Sequence, residues 1–478
     1  MRHKAPRPRY DYTQGPIGRG LLYLSVPIFL EQIAWNIDTI VEIYWVGRLG
    51  AASLAAMSLG FMVHVFVRSG GMGVRIAGQA LVAQRIGAGD AEAASLLAGQ
   101  TILLQALYFL PVSLLGAWLS EEIMEALSSD PEIIRLGTLY LRAGFFALLF
   151  TDGIFTLAGL FRGAGEPLLS LWPMIASTLV TAAAMPLLIF GAGVLPELGL
   201  AGASWGLGVG RLVGCAIMMG ILFTGRSRLN LRPAHLRLER APLLRLLSLG
   251  WPAGGQVLFE RSANIVLVAI LSRFGPLALA AWGVGNRVNN MGRTPGFALS
   301  GAVRTLVGQN IGAGRPGRAR QAAWVSLLWV ALIMGAVTVG ILLWAEGMVR
   351  FFGLAGEAVP VGVLCMQVLG LGVGLEAVRR VLSGVFEGAA DTKPPMIVEG
   401  AVRWGVLLPG AWALGVALGF EDAGVWAAVA ASQVLGGVAL LAWFLWGWWS
   451  RMRAMEEAAA PAAASAPDRP PSRPGLLS

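Results

Sequence analysis

Displaced by 225 positions, this sequence falls on itself. Pro27 lands on Pro252, Gly50 on Gly275, Leu54-Ala55-Ala56 on Leu279-Ala280-Ala281, and Arg68 on Arg293. Gln84 with Ile86-Gly87-Ala88-Gly89 lands on Gln309 with Ile311-Gly312-Ala313-Gly314. The register holds without a gap over most of a half-chain, so the chain is a duplicated unit. Whatever one half folds into, the other must fold into as well.

Each half is apolar enough to live in lipid. Of 478 residues, 56% are hydrophobic and 13% charged, and the mean hydropathy is +0.68. An average soluble domain carries about 25% charge. Apolar runs of ~20 residues, the length that crosses hydrocarbon as a helix, recur from end to end. The ~10-residue alternation of a membrane β-barrel is absent. In the first half the runs lie near 20–46, 53–83, 95–119, 133–161, 168–193 and 199–223. In the second they lie near 243–272, 278–308, 321–345, 359–386, 395–418 and 423–449. The fold class is an all-α integral membrane protein of about twelve transmembrane helices in two six-helix repeats.

The formal net charge of +9 is placed for a membrane and not for nucleic acid. Arg2, Lys4, Arg7, Arg9 and Arg19 crowd the N-terminus, and further arginines fill 226–240, 315–320 and positions 451 and 453. The breaks holding Glu121, Glu122, Glu125, Asp130 and Glu132, and later Glu421 and Asp422, are acidic. Basic breaks mark the cytoplasmic side, which puts both termini in the cytoplasm of a multi-pass cytoplasmic (inner) membrane protein. An even number of helices per half makes the repeat parallel, about an axis along the membrane normal. The expected domains are a cytoplasmic segment 1–19, a first lobe 20–224, a basic linker 225–242, a second lobe 243–450 and a disordered tail 451–478. The first apolar run contains Glu31, Asp38 and Glu42 and lacks a cleavage site, so it reads as a membrane helix rather than a removable signal.

Enzyme chemistry finds no foothold. Cys215 and Cys365 sit inside apolar runs as small hydrophobes, and three histidines (His3, His64, His235) offer no metal-ligand spacing. No nucleophile elbow, H-E-x-x-H or P-loop occurs. No catalytic residue, metal or cofactor is expected.

Acids within the apolar runs are the candidate functional groups. A carboxylate at mid-membrane costs about 2.5–3.5 kcal/mol on insertion scales, which a coupling cation or proton can repay. Glu42, Glu260 and Glu376 lead as ion-coupling residues, with Asp38 and Asp152 behind them and Glu31 and Glu399 read as structural or interfacial. Polar side chains recur on one helical face as Asn286, Asn290, Arg293, Ser300 and Arg304, and 225 positions earlier as Arg68, Arg75 and Gln79. Such faces line a bundle interior or a water-filled cavity. The arginines either partner Glu42, Glu260 and Glu376 or bind an anionic part of the substrate. Pairing is favoured, because the acids need partners too. Pro27 and Pro252 each remove a backbone hydrogen bond inside a helix, where a bend could move Glu42 or Glu260.

Ordered motifs in both halves resemble one family. Pro27, then V-G-R-L-G-A at 46–51, L-A-A at 54–56, A-Q-R-I-G-A-G at 83–89 and F-R-G-A-G-E-P at 161–167 are similar to the multidrug and toxic compound extrusion (MATE) exporters, NorM-like branch. The second half echoes them as L-A-A at 279–281, G-Q-N-I-G-A-G at 308–314 and E-G-A-A-D-T-K-P-P at 387–395. The resemblance implies a V-shaped pair of lobes, alternating access, and export of drug-like organic solutes in exchange for H⁺ or Na⁺. The expected partners are a small organic substrate and the lipid bilayer, with no nucleic acid, and the chain is expected to act as a monomer. Residue by residue, the resemblance carries the family's helix-1 acid to Glu42, fifteen residues beyond Pro27, and the branch's acids to Glu260 and Glu376. The pattern N-I-x-L-D-P reads Thr181-Ala-Ala-Ala-Met185-Pro186 here, which lacks its Asn and Asp. That departure shifts the expected coupling to the second lobe, with Glu260 as principal carboxylate. A lipid-linked oligosaccharide flippase of the same superfamily is the alternative, for which arginines would suit a pyrophosphate.

Overall fold

The computed structural model describes residues 10–191, 196–354, 356 and 358–448. The expected disordered tail, and the arginines at 2, 7, 9, 451 and 453, lie outside the described residues. The first repeat runs α1 (Ile17–Gly47), α2 (Ala51–Gly87), α3 (Ala91–Trp118), a short α4 (Ser120–Leu127), α5 (Pro131–Ala164), α6 (Leu168–Phe190) and α7 (Leu200–Phe223). The second runs α8 (Arg240–Leu271), α9 (Pro276–Gly292), α10 (Thr294–Gly312), α11 (Pro316–Phe351), α12 (Ala358–Gly388), α13 (Lys393–Ala417) and α14 (Glu421–Gly447). Ten helices are long and apolar enough to cross a membrane by length and composition. The two remaining spans are α8 and the pair α9–α10, and both are interrupted by charge. With them, the described residues provide twelve crossings.

Local chemistry sets the helix ends. Asp90 caps α3 by accepting from Ala93 N–H at 3.0 Å, and Asp130 caps α5 by accepting from Glu132 N–H at 2.8 Å, with Pro131 opening the helix. The acidic break after α3, expected as a loop, instead folds as α4. Met124 of that helix is buried, whereas Glu121, Glu122 and Glu125 stay exposed.

The repeat exchanges its first helices. Leu21 and Leu24 of α1 are buried in one cluster with Leu299, Val303 and Leu306 of α10 and Val381 of α12. Their counterparts Leu246 and Leu249 of α8 join Leu81, Ala98 and Phe161 of the first repeat. The seam is equally reciprocal. Gln84 Nε2 donates to Gly388 C=O at 2.9 Å, and its counterpart Gln309 Nε2 donates to Gly163 C=O at 3.0 Å. Arg304 donates to Gln79 Oε1 at 2.8 Å, and these two residues are themselves repeat mates. A Cβ on Gly87 would stand 2.0 Å from the Gln309 carbonyl, and one on Gly312 would stand 1.9 Å from that of Gln84. Only glycine permits this approach.

Both of these loops end membrane spans, and they touch. The two repeats therefore point the same way through the bilayer, as a parallel repeat requires. Among the described residues, no hydrogen bond joins the lobes between this seam and the opposite loops near 48–50 and 272–275. The inter-lobe hydrogen bonds gather at one end of the molecule, the arrangement of a V-shaped pair joined at that end.

Two segments at the closed end are more ordered than the sequence suggests. Tyr12 is buried, donates from its hydroxyl to Gly165 C=O at 3.0 Å, and accepts at its own carbonyl from Asn310 at 3.2 Å. Arg315 donates to Thr13 C=O at 2.7 Å. Residues 10–16 thus strap one lobe to the other. The basic linker docks as well: Gln100 donates to the His235 carbonyl at 3.0 Å, and Glu166 accepts from Arg228 N–H at 3.1 Å. Burial pushes the Glu166 carboxyl above its usual range, against hydrogen bonds from Ser227 and Arg228.

Candidate functional site

Each lobe holds a cavity, walled by α1, α2, α5 and α7 in the first and by α8, α9, α13 and α14 in the second, and the two differ in charge. The first is lined by Trp35, Asp38, Glu42, His64, Arg68 and Tyr140, among others. Asp38 sits one turn before Glu42 on α1. It accepts from Arg211 of α7 at 2.5 Å and from Thr178 of α6 at 3.2 Å. Arg211 is fully buried, and its guanidinium lies 5.2 Å from the Trp35 ring centroid. Glu42 accepts from the Tyr140 hydroxyl at 2.8 Å and, among the described residues, makes no ion pair with an arginine. Asp152 on α5 is paired with Arg68 at 2.8 Å and Arg75 at 3.8 Å.

The second cavity is lined by Glu260, Arg261, Asn286, Asn290, Arg293 and Arg403, among others. Behind it lies a buried charge network. Four arginines surround Glu376: Arg379 at 2.7 Å, Arg380 at 3.3 Å, Arg293 at 3.6 Å and Arg403 at 3.7 Å. Arg380 also reaches Glu260 at 3.3 Å. Glu399 is held by Arg379 and, at 2.8 Å, by Arg403. Local structure delivers these groups. Arg379 and Arg380 follow Glu376 by three and four residues, one face of α12. Arg293 stands at the break between α9 and α10, where Pro295 withholds a backbone donor. Arg403 lies in a π-helical stretch of α13, residues 401–407, a wider turn that recurs at functional sites.

The structure rearranges several expectations. Arg68 and Arg75 pair with Asp152 and not with Glu42, although Arg68 also lies over the Trp35 ring of α1, 4.9 Å from its centroid. Gln79 does not line a cavity. It is buried in the seam, donating to Gly301 C=O at 3.1 Å and Thr305 at 3.2 Å. Arg304 turns to Glu387 and Gln79. Glu31 is paired with Arg162 at 2.5 Å and Ser170 at 2.6 Å. Glu260, expected as the principal coupling carboxylate, is instead in an ion pair. Sequence reasoning passed over Arg211, Tyr140, Arg379, Arg380 and Arg403. A lone arginine in the apolar run 199–223 was the available signal for Arg211, and the Glu-x-x-Arg-Arg spacing for Arg379 and Arg380.

Comparison with known proteins settles the lineage. The MatE family model matches the chain twice, over residues 27–188 and 252–412, each match opening on one of the paired prolines. The chain belongs to the MatE family. Among MatE relatives, a probable multidrug resistance protein NorM of Bradyrhizobium diazoefficiens is 28% identical over 85% of this chain and 88% of its own length. An FAD transporter of Shewanella oneidensis is 26% identical over 72% of this chain and 76% of its own. The solved outward-facing structure of a multidrug-resistance MATE family transporter of the MOP superfamily superposes with a TM-score of 0.86 at 19% identity, covering 95% of this chain and 100% of that one. The fold is therefore that of a MATE transporter.

Proposed function

We propose that this MATE chain is a secondary active antiporter, exporting small organic solutes across the cytoplasmic membrane in exchange for H⁺ or Na⁺. It acts as a monomer with both termini in the cytoplasm. The observation that carries the reading is the one-sided seam: two repeat-related lobes hydrogen-bonded to each other at one end of the membrane. The sealed end bears Arg85, Arg315, Arg318 and Arg320 and the arginines of the linker, the charge bias of a cytoplasmic face. The cavities then open outward, and rocking of one lobe against the other reverses the access. Relatives named for multidrug resistance and for FAD transport agree with organic solutes as cargo.

Coupling falls to Glu42. An ion-coupling carboxylate must have charge left to offer. Glu376 is countered by four guanidinium groups and Glu260 by Arg380, whereas Glu42, among the described residues, is hydrogen-bonded to a phenol hydroxyl and has no arginine in ion-pair contact. Its cavity is also the one that places a second acid, Asp38, within a helical turn. The purified protein in proteoliposomes, given a pH gradient and a Na⁺ gradient separately, tests the reading with the cationic dye ethidium. Uphill dye movement driven by one of the two gradients is expected. Dye movement that is only downhill and indifferent to both would overturn it.

A further inference from the structure

The second-lobe cavity has more positive charge than the first-lobe site and more than its own acids match. Five arginines (Arg261, Arg293, Arg379, Arg380, Arg403) face three glutamates (Glu260, Glu376, Glu399) across the cavity and the network behind it. Two positive charges remain. Arg379 is spent between Glu376 and Glu399, and Arg380 on Glu260 and Glu376, with its guanidinium 4.2 Å from the Phe297 ring centroid. The surplus therefore lies on the cavity wall. Arg293 reaches Glu376 only at 3.6 Å, and its Nε is buried with no hydrogen-bond acceptor. Arg261 is exposed, lines the cavity and, among the described residues, makes no ion pair or hydrogen bond. Asn264, Asn286 and Asn290 line the same space and add amide donors. Glu260 is the one acid on this wall among the described residues, and Arg380 already holds it.

A buried guanidinium donor left without an acceptor is costly, and Arg293, which has one, lines this cavity, where a ligand can bring acceptor oxygens to its guanidinium. Arginine forks match the planar or tetrahedral oxygens of carboxylate and phosphate. We propose that this cavity is an anion subsite: it seats a phosphate or carboxylate group of an organic molecule between Arg261 and Arg293, with the asparagines completing its hydrogen bonds. The inference deepens the transport reading and rests on it for the solute's entry from the membrane interior. Of the arginines read from the sequence, Arg68, Arg75 and Arg304 each face an acid, whereas Arg293 reaches one only at 3.6 Å.

Three probes of one aromatic body separate the chemistry: 1-naphthyl phosphate, 1-naphthol and 1-naphthylmethylamine, titrated by calorimetry into the full chain in detergent. Naphthyl phosphate should bind at least tenfold tighter than the other two. Arg261→Gln, at an exposed side chain that the fold does not use, should weaken it at least fivefold without shifting the melting temperature. Arg293→Gln should weaken it further. Equal affinity for the three probes, or unchanged naphthyl phosphate binding in both variants, would overturn the subsite. Phosphatidylglycerol added to the micelles identifies the source: competition assigns the site to a lipid headgroup, its absence to a soluble anion, and either supports an anion subsite. Ethidium export in proteoliposomes is scored separately. Its loss with anion selectivity intact would sink the antiporter reading alone, and intact export without anion selectivity would sink the subsite alone.

Discussion

Glu376 and Glu42 are both buried glutamates on membrane helices, and they are opposite in kind. Glu376 is the centre of a network in which each arginine depends on the acids for its charge balance. Replacing it with glutamine leaves four guanidinium groups against one fewer acid. Breaking a buried pair by removing one partner costs about 3–5 kcal/mol, so Glu376→Gln should lower the melting temperature in detergent by many degrees. Glu42→Gln keeps an oxygen that accepts from Tyr140 and leaves no arginine unpaired. It should melt within a few degrees of the parent protein and yet fail in gradient-driven export. If the two variants melted alike, the assignment of structural and coupling roles would be wrong. The acids themselves were legible in the sequence, since a charge in an apolar run announces itself. Their ranking was not. It depends on arginines arriving from α9, α12 and α13, and nothing in the spacing of Glu260 tells that Arg380 faces it across 120 residues of chain.

At the scale of elements, the repeat makes internal controls. Gly165 ends α5 with φ +81°, and its mate Ala390 holds the same left-handed turn at φ +58°. A Cβ there costs about 1–2 kcal/mol, so Ala390→Gly should stabilise the protein by about 1 kcal/mol, read as a rise in melting temperature. Gly165→Ala should do the reverse and more, because its Cβ would stand 2.6 Å from the Tyr12 ring that straps the lobes. Equal responses at the two positions would contradict the strap. Pro295 has Gly70 as its mate, which is why α2 runs unbroken over 37 residues while its counterpart divides into α9 and α10. The helix count and nearly all the breaks were legible from apolar runs and Gly-Pro punctuation. The division at Arg293 was written in Gly292-Arg-Thr-Pro295, at the end of the polar stretch 286–295, but apolar flanks on both sides hid it inside one run. The strap at 10–16 and helix α4 were illegible for the opposite reason: polar residues hide a fold that tertiary contacts supply.

The whole molecule is two lobes that meet closely at a glycine seam. Because a Cβ at Gly87 meets a backbone carbonyl and not a flexible side chain, Gly87→Ala should push the lobes apart at the sealed end. A cysteine at Ala83 should then react faster with a membrane-impermeant maleimide from the cytoplasmic side than the same cysteine beside the native glycine, and equal rates would place the seam elsewhere. Ala83 and Gly308 are repeat mates that meet across the lobes: a Cβ on Gly308 would stand 2.9 Å from that of Ala83. A disulfide needs about 3.5–4.5 Å between Cβ atoms, a small relaxation away, and the native Cys215 and Cys365 are buried and free. Joining Ala83→Cys to Gly308→Cys locks the sealed end shut. Gradient-driven ethidium movement measured on the oxidised and the reduced double variant tests alternating access most directly. The account predicts that export stops on oxidation and returns on reduction; export at the same rate in both states would contradict it.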